Sequence, residues 1–112
     1  MSAFIIIIIF LHGAIHLFGF VKGFELSAVT QLTVPVSRSS GLMWLLAFIL
    51  FFVSGFMAVF TFEYWWVPGF FAVVISQAMI IGSWHDARFG TIANIIILVA
   101  LIIGAGTWAF YN

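Results

Sequence analysis

Four long apolar stretches constrain this chain more than any other feature of its sequence. They cover approximately residues 3–21, 41–62, 65–84 and 91–110 of the 112 residues. Each is close to the roughly 20 apolar residues that a helix needs to cross a bilayer. The isoleucine run from Ile5 to Ile9 does not alternate with polar residues, as the strands of a membrane barrel would. The stretches therefore predict an all-α integral membrane protein.

The composition excludes several classes of protein. Hydrophobic residues make up 66% of the chain and charged residues only 5%, whereas a soluble domain is about 25% charged. Such a chain has too few charged residues to form the surface of a water-soluble enzyme. It also has no basic patch that could bind a nucleic acid. It contains no cysteine, so disulfides, thiolate metal sites and cysteine nucleophiles are excluded. The expected partners are membrane lipids and other membrane-embedded chains.

The predicted topology is a single transmembrane domain, residues 1–112, folded as a four-helix bundle. The last three spans follow one another through short links, which makes them antiparallel neighbours. All three cations, Lys22, Arg38 and Arg88, fall on one side of such a bundle. Positive residues mark the cytoplasmic side. We therefore expect both termini and Glu63 on the outer side.

The only long connection, residues 22–40, has two interpretations. Phe24, Ala28 and Leu32 recur every four residues, which is typical of a short helix lying among the lipid headgroups. The same segment is also compatible with an ordered loop that caps the bundle. In either case Ser37, Ser39 and Ser40 are candidate N-caps for the second span.

Polar residues inside the apolar stretches are the candidates for chemistry, because polar side chains are costly in a bilayer. A helix rises about 1.5 Å per residue, which places most of them in the cytoplasmic half. This distribution predicts an inward-facing polar network or a shallow cavity, with His12, His16, Gln77 and Asn94 as candidate binding residues. The complete set is His12, His16, Ser54, Ser76, Gln77 and Asn94.

His12 and His16 are four residues apart and therefore share one helix face. This spacing can chelate a metal, support a proton relay, or hold two histidines that hydrogen-bond to neighbouring helices. His85 lies about 9 Å further in than His16 on the same helical rise. A three-histidine site would need the end of the third span to bend inward. Any metal ligands are therefore His12 and His16, and the cofactor remains unknown.

The link between the third and fourth spans is short and charged. Asp86 can pair with Arg88, and Thr91 can cap the following helix. A functional interpretation is that His85, Asp86 and Arg88 bind a lipid headgroup or a partner protein.

Pairs of small residues four apart predict close helix contacts. Such a thin bundle, with 15 Phe and 5 Trp, also has a large apolar surface. We therefore expect a homo-oligomer or a place in a larger complex. The pairs are Gly19/Gly23, Ser54/Ala58, Ala78/Gly82 and Ala100/Gly104.

Three segments carry a resemblance to a known group of proteins: LHGAIHLFGFVKGF (11–24), QLTVPVSRSSGLMWL (31–45) and WHDARFGTIAN (84–94). Together they resemble small bacterial four-span proteins of DoxX-like architecture, and the membrane region of some uncharacterised bacterial proteins. The resemblance implies a four-helix unit in a bacterial inner membrane. It implies no activity. DoxX is associated with quinone-linked respiratory complexes, which is compatible with a subunit role.

Three functions follow as alternatives. The absence of Asp and Glu from the spans argues against an ion-coupled pump, and no catalytic constellation is recognisable. The first expectation is a non-catalytic accessory or structural subunit. The second is a binder of quinone, haem or lipid through the histidine network. The third is a minimal transporter or channel assembled as an oligomer.

Overall fold

The chain is built from helices. The computed structural model describes residues 2–112 and contains no strand in that range, which confirms the all-α prediction. The helices are α1 (Ala3–Ile15), α2 (Leu17–Gly23), α3 (Arg38–Val59), α4 (Trp66–Gly82), α5 (Trp84–Ala87) and α6 (Gly90–Tyr111).

Three helical segments are long and apolar enough to cross a membrane. They are Ala3–Gly23, which joins α1 and α2, together with α3 and α6. The fourth apolar helix, α4, has 17 residues and is shorter than these. The structure therefore supports a membrane-embedded chain. The fourth span and the outward termini stay predictions.

The helices pack side by side into a body of 46 × 22 × 22 Å. Helix α3 packs against α1, α2 and α4, and α6 packs against α4 and α1. Both termini meet the α3–α4 turn at one end, where Ser2, Glu63 and Asn112 border the same cavity. We call this the terminus end. The opposite end, which carries the 24–37 loop and α5, is the loop end.

The apolar core occupies the centre of the helices and is small. Its buried members are Ile9, Phe51, Ala72, Val73, Ile97 and Leu101. Most other large apolar side chains face outward, for example Leu11 at 62% and Val74 at 68% exposure. An apolar exterior of this kind is stable only in an apolar solvent, because there is no polar layer to face water.

Of the three serines predicted as candidate N-caps of the second span, Ser37 is the one that caps α3. The Ser40 backbone N–H donates to Ser37 Oγ at 3.1 Å, so α3 begins at Arg38, three residues before the predicted span. Pro68 lies in the first turn of α4, where its missing N–H costs nothing.

The 24–37 connection is an ordered loop and contains no helix. The prediction of an interfacial helix is therefore wrong, and the alternative of a capping loop is right. Leu32 is buried, and its carbonyl accepts a hydrogen bond from Lys22 Nζ. These tertiary contacts replace the helical backbone bonds that the spacing of Phe24, Ala28 and Leu32 had suggested.

Gly19/Gly23 and Ser54/Ala58 lie at helix contacts, whereas Ala100 and Gly104 line the cavity at the terminus end and only Gly104 meets a ring, that of Trp65. A side chain at Gly19 would collide with the Trp44 ring, and one at Gly23 with the backbone of Gly41. Gly82, by contrast, faces open space and Ala78 is exposed. The prediction of a close contact at Ala78/Gly82 is therefore wrong, because both residues border a small cavity between α4, the loop and the start of α3.

Candidate functional site

A closed ring of hydrogen bonds joins α1, α4 and α6 at the level of His12. His12 Nε2 donates to Asn94 Oδ1 at 2.9 Å, and Asn94 Nδ2 donates to Ser76 Oγ at 3.0 Å. Ser76 Oγ donates to His16 Nε2 at 2.6 Å, and His16 Nδ1 donates to the His12 carbonyl at 2.7 Å. We call these four residues the polar ring. All four are buried.

The helix break at His16 makes the last of these bonds available. Helix α1 ends at Ile15, and the His16 backbone N–H bonds the Gly13 carbonyl at 3.0 Å instead of the His12 carbonyl. The His12 carbonyl is then free to accept a side-chain donor. The break that interrupts the predicted span 3–21 is therefore part of the site.

The hydrogen-bond partners fix the proton positions on both histidines. A carbonyl oxygen can only accept, so His16 carries its proton on Nδ1 and His12 carries its proton on Nε2. His16 Nε2 is then the acceptor for the Ser76 hydroxyl. Every bond of the polar ring is thus satisfied with both imidazoles neutral.

A polar branch extends from the ring toward the loop end. The second Asn94 Nδ2 hydrogen is donated to Gln77 Oε1 at 3.1 Å, and Gln77 Nε2 donates to Thr91 Oγ1 at 3.0 Å. Asn94 therefore bonds three other side chains and is the centre of the network. Gln77 and Thr91 are half-buried, so this branch forms the outer edge of the network.

Aromatic side chains form the wall around the two histidines. The His12 and His16 rings are perpendicular, with centroids 4.8 Å apart. Phe51 packs against both rings, its centroid 5.3 Å from each, and Trp44 lies 5.3 Å from His16. These rings exclude lipid and water from the polar ring, which strengthens its hydrogen bonds.

The structure brings together all four residues predicted as a binding network: His12, His16, Gln77 and Asn94. It adds Ser76 and Thr91. Ser76 was recognisable as a polar residue within a span, next to Gln77 at a similar depth. Thr91 was expected to cap α6, which is wrong: α6 begins at Gly90 without a side-chain cap, and the Thr91 hydroxyl accepts from Gln77 instead.

Ser54 is the one polar residue of the spans that lies apart from the network. Its hydroxyl donates to the Trp65 carbonyl at 2.7 Å and so joins α3 to the start of α4.

The donor set for a metal is incomplete. Residues 2–112 hold no group of three or more His, Cys, Asp or Glu side chains that could surround an ion. His85 is exposed on α5, away from the other two histidines. His16 already uses both ring nitrogens in the polar ring, so of these two histidines only His12 has a ring nitrogen, Nδ1, without a hydrogen bond within residues 2–112.

A second polar contact ties the loop to α5. The Asp86 carboxylate accepts from the Thr33 hydroxyl at 2.6 Å and from the backbone N–H groups of Thr33 and Val34, both at 2.7 Å. The Thr33 hydroxyl and then the Val34 amide lower the pKa of Asp86 below its ordinary value of 3.8. These three bonds hold the 24–37 loop against the loop end.

The predicted Asp86–Arg88 pair is not formed. Asp86 is occupied by the loop, while the Arg88 guanidinium lies 5.0 Å from the centre of the Phe89 ring and donates to the His85 carbonyl. Among the three residues predicted to bind a headgroup or a partner, Asp86 is therefore already engaged within the chain. His85 and Arg88 remain exposed.

No protein-family model, no curated protein and no solved structure matches this chain.

The first prediction concerns Asn94 as the centre of the network. Asn94→Ala removes its bonds to His12, Ser76 and Gln77, and interhelical bonds of this kind contribute about 0.6 kcal/mol each, up to about 1.7. We expect the free energy of unfolding in detergent to fall by about 2 kcal/mol. Asn112→Ala is the matched control, because Asn112 is exposed and bonds only its own helix. Equal losses in the two variants would contradict the assignment.

The second prediction concerns Asp86 and pH. The pKa of Asp86 in the folded protein lies below its ordinary value of 3.8, so the loop contact contributes fully to stability above pH 3.8. This contribution is lost as the pH falls through the pKa that Asp86 has in the folded protein. Hydrogen exchange should show protection of the Thr33 and Val34 amides at neutral pH, and loss of that protection in Asp86→Asn. Glu63→Gln, at the terminus end, should leave it unchanged. Protection that survives in Asp86→Asn would show that other contacts hold the loop.

Proposed function

We propose that this chain is a small, non-catalytic integral membrane protein that acts as an accessory or structural subunit. It assembles with itself or with a larger complex of a bacterial inner membrane. The observation that carries this proposal is the polar ring. Its hydrogen bonds are made within the chain and join three helices, and all four of its residues are buried.

The positions of the cavities support the same conclusion. Three cavities lie at the terminus end, between the loop and α4, and over the loop itself. None of them is lined by His12, His16, Gln77 or Asn94. A quinone or haem at these residues would have to displace existing hydrogen bonds and the aromatic wall.

The outer surface supports assembly with other membrane chains. Only 17% of the most apolar window of α6 is buried within the chain, against 33% for α3. Helix α6 therefore offers a long apolar face to its neighbours. In lipid, such a face gains stability by close packing against another helix.

The proposal includes four spans, with both termini outside. Helix α4 is flanked by α3 and α6 and antiparallel to both, so it has to cross the same apolar layer. Its 17 residues cover about 26 Å at 1.5 Å per residue, close to the thickness of the hydrocarbon core. Lys22, Arg38 and Arg88 belong to the loop end, which the positive-inside rule assigns to the cytoplasm.

The third prediction tests this orientation by single-cysteine labelling. Only the introduced cysteine can react, because the chain has no cysteine of its own. A membrane-impermeant maleimide should label Ser2→Cys and Asn112→Cys in cells with a permeabilised outer membrane. Ser27→Cys, in the loop, should react only after the inner membrane is opened. Ala47→Cys, which is fully buried, is the unreactive control. Labelling of Ser27→Cys before lysis would invert the proposed topology.

The fourth prediction tests the subunit role. The protein is extracted from native membrane into nanodiscs and measured by mass spectrometry and absorption spectroscopy. We expect either the same partner chains in every preparation or a single homo-oligomer, in both cases without a chromophore. His12→Ala with His16→Ala should lower stability and leave the set of partners unchanged. A bound chromophore or extractable quinone that this double variant loses would instead favour the ligand-binding alternative. Solute flux in liposomes would favour the transporter.

A further inference from the structure

A small cavity lies at the loop end, between the 24–37 loop, the start of α3 and the end of α4. Its volume is about 70 Å³. The loop contributes Pro35, α3 contributes Ser40 and Trp44, and the chain at the end of α4 contributes Met79 and Ser83. The cavity therefore lies where the loop closes over the two helices.

Two of the polar side chains that border the cavity are buried. Trp44 is 4% exposed and Ser83 is 6% exposed. Within residues 2–112, the Trp44 indole N–H and the Ser83 hydroxyl make no hydrogen bond, and Ser40 bonds Ser37 through its backbone N–H and not through its hydroxyl. The border of the cavity thus carries one N–H donor and two hydroxyl groups that the protein leaves without partners, which costs free energy.

The Trp44 N–H is open to this cavity and is not sealed in the core. The sealed and unpartnered indole N–H groups within residues 2–112 are those of Trp66 and Trp108. The Trp44 N–H is not among them, so part of its surface meets free space. Of the three cavities, Trp44 borders only this one. A donor with free surface and no protein partner indicates an acceptor in the cavity.

The lining selects the chemical nature of the occupant. No Asp, Glu, Lys, Arg or His borders the cavity, so an ion of either sign would be held without a countercharge, which is costly. An apolar group would leave the Trp44 N–H and the hydroxyls unpaired. Small-molecule sites have volumes of about 300–1,000 Å³, far above that of this cavity. Water is neutral, both donates and accepts, and takes about 30 Å³ in the liquid, so two molecules fit.

We propose that this cavity is a hydration site that holds two water molecules and joins α3 to the end of α4. One water accepts the Trp44 N–H, and the pair bonds the hydroxyls of Ser83 and Ser40. Buried waters make about two to four hydrogen bonds, and each water reaches that range because one of its bonds is to the other water. The site is independent of the subunit role.

The same indole separates the hydration site from the polar ring. The Trp44 ring lies 5.3 Å from the His16 ring, and a side chain at Gly19 would collide with it. The indole thus fills the space next to His16 while its N–H bonds water in the cavity. Hydration from the loop end accordingly stops at Trp44, and the polar ring keeps its own hydrogen bonds.

The first test is water-edited solid-state NMR of the unmodified, isotope-labelled chain in bilayers. Trp44→Phe identifies the Trp44 indole signal by its loss. Magnetisation from water should reach the Trp44 N–H at short mixing times and should not reach the sealed N–H groups of Trp66 and Trp108. Equal transfer to Trp44 and Trp66, or no transfer to Trp44, would overturn the hydration site.

Isosteric substitutions at Gly82 provide a second test, in which a hydrated and a dry cavity predict opposite orders of stability. Gly82 borders the cavity, and nothing lies within 4 Å of a side chain placed there. Valine and threonine have the same shape, but only the threonine hydroxyl can replace the bonds of a displaced water. We expect Gly82→Thr to melt about 5 °C above Gly82→Val, which corresponds to roughly one hydrogen bond.

Ile81 provides the matched control, because it is exposed on α4 at nearly the same depth and does not border the cavity. Ile81→Val should melt at or above Ile81→Thr, since an apolar side chain is favoured on a lipid-facing surface. A Tm of Gly82→Val at or above that of Gly82→Thr would show that the cavity is dry and overturn the proposal. An equal preference for threonine at both positions would contradict a specific site.

Discussion

The structure depends on how α1, α4 and α6 satisfy their buried polar groups in a medium that offers no water. Asn94 meets this constraint by bonding His12, Ser76 and Gln77 at once. Hydrogen bonds weaken steeply outside a narrow range of length and angle. A shift of one helix by a single residue, about 1.5 Å and 100°, would break several of them together. The polar ring therefore fixes the register of the three helices, which uniform apolar packing specifies poorly.

The two ends of the molecule differ because the ring lies off centre. At the loop end, the polar branch through Gln77 and the three bonds to Asp86 close the structure. At the terminus end, α1, the end of α3 and α6 leave a cleft of about 540 Å³ between them. One set of interactions thus accounts for both the rigid end and the open one.

The sequence predicts the helices well and their side-chain contacts only partly. Apolar length locates four helical segments within a few residues of their observed positions, and span polarity identifies His12, His16, Gln77 and Asn94 as one network. The break at His16 could not be predicted, because it follows from a backbone bond to Gly13. Arg88 is the cation nearest to Asp86 in the sequence, yet the Asp86 carboxylate bonds Thr33, which is 53 residues away. Helical spacing in the loop was misleading, because tertiary bonds replace the local ones there.

The direction of the hydrogen bonds in the ring has a consequence for charge movement. Hopping of protons requires each group to receive a proton on one side and release another on the opposite side. The His12 backbone carbonyl can accept a hydrogen bond and has no proton to pass on, and the Asn94 amide receives at oxygen while it donates from nitrogen. The circuit is therefore broken at two of its links. The hydrogen bonds of the ring therefore join the helices without forming a continuous path along which protons could hop.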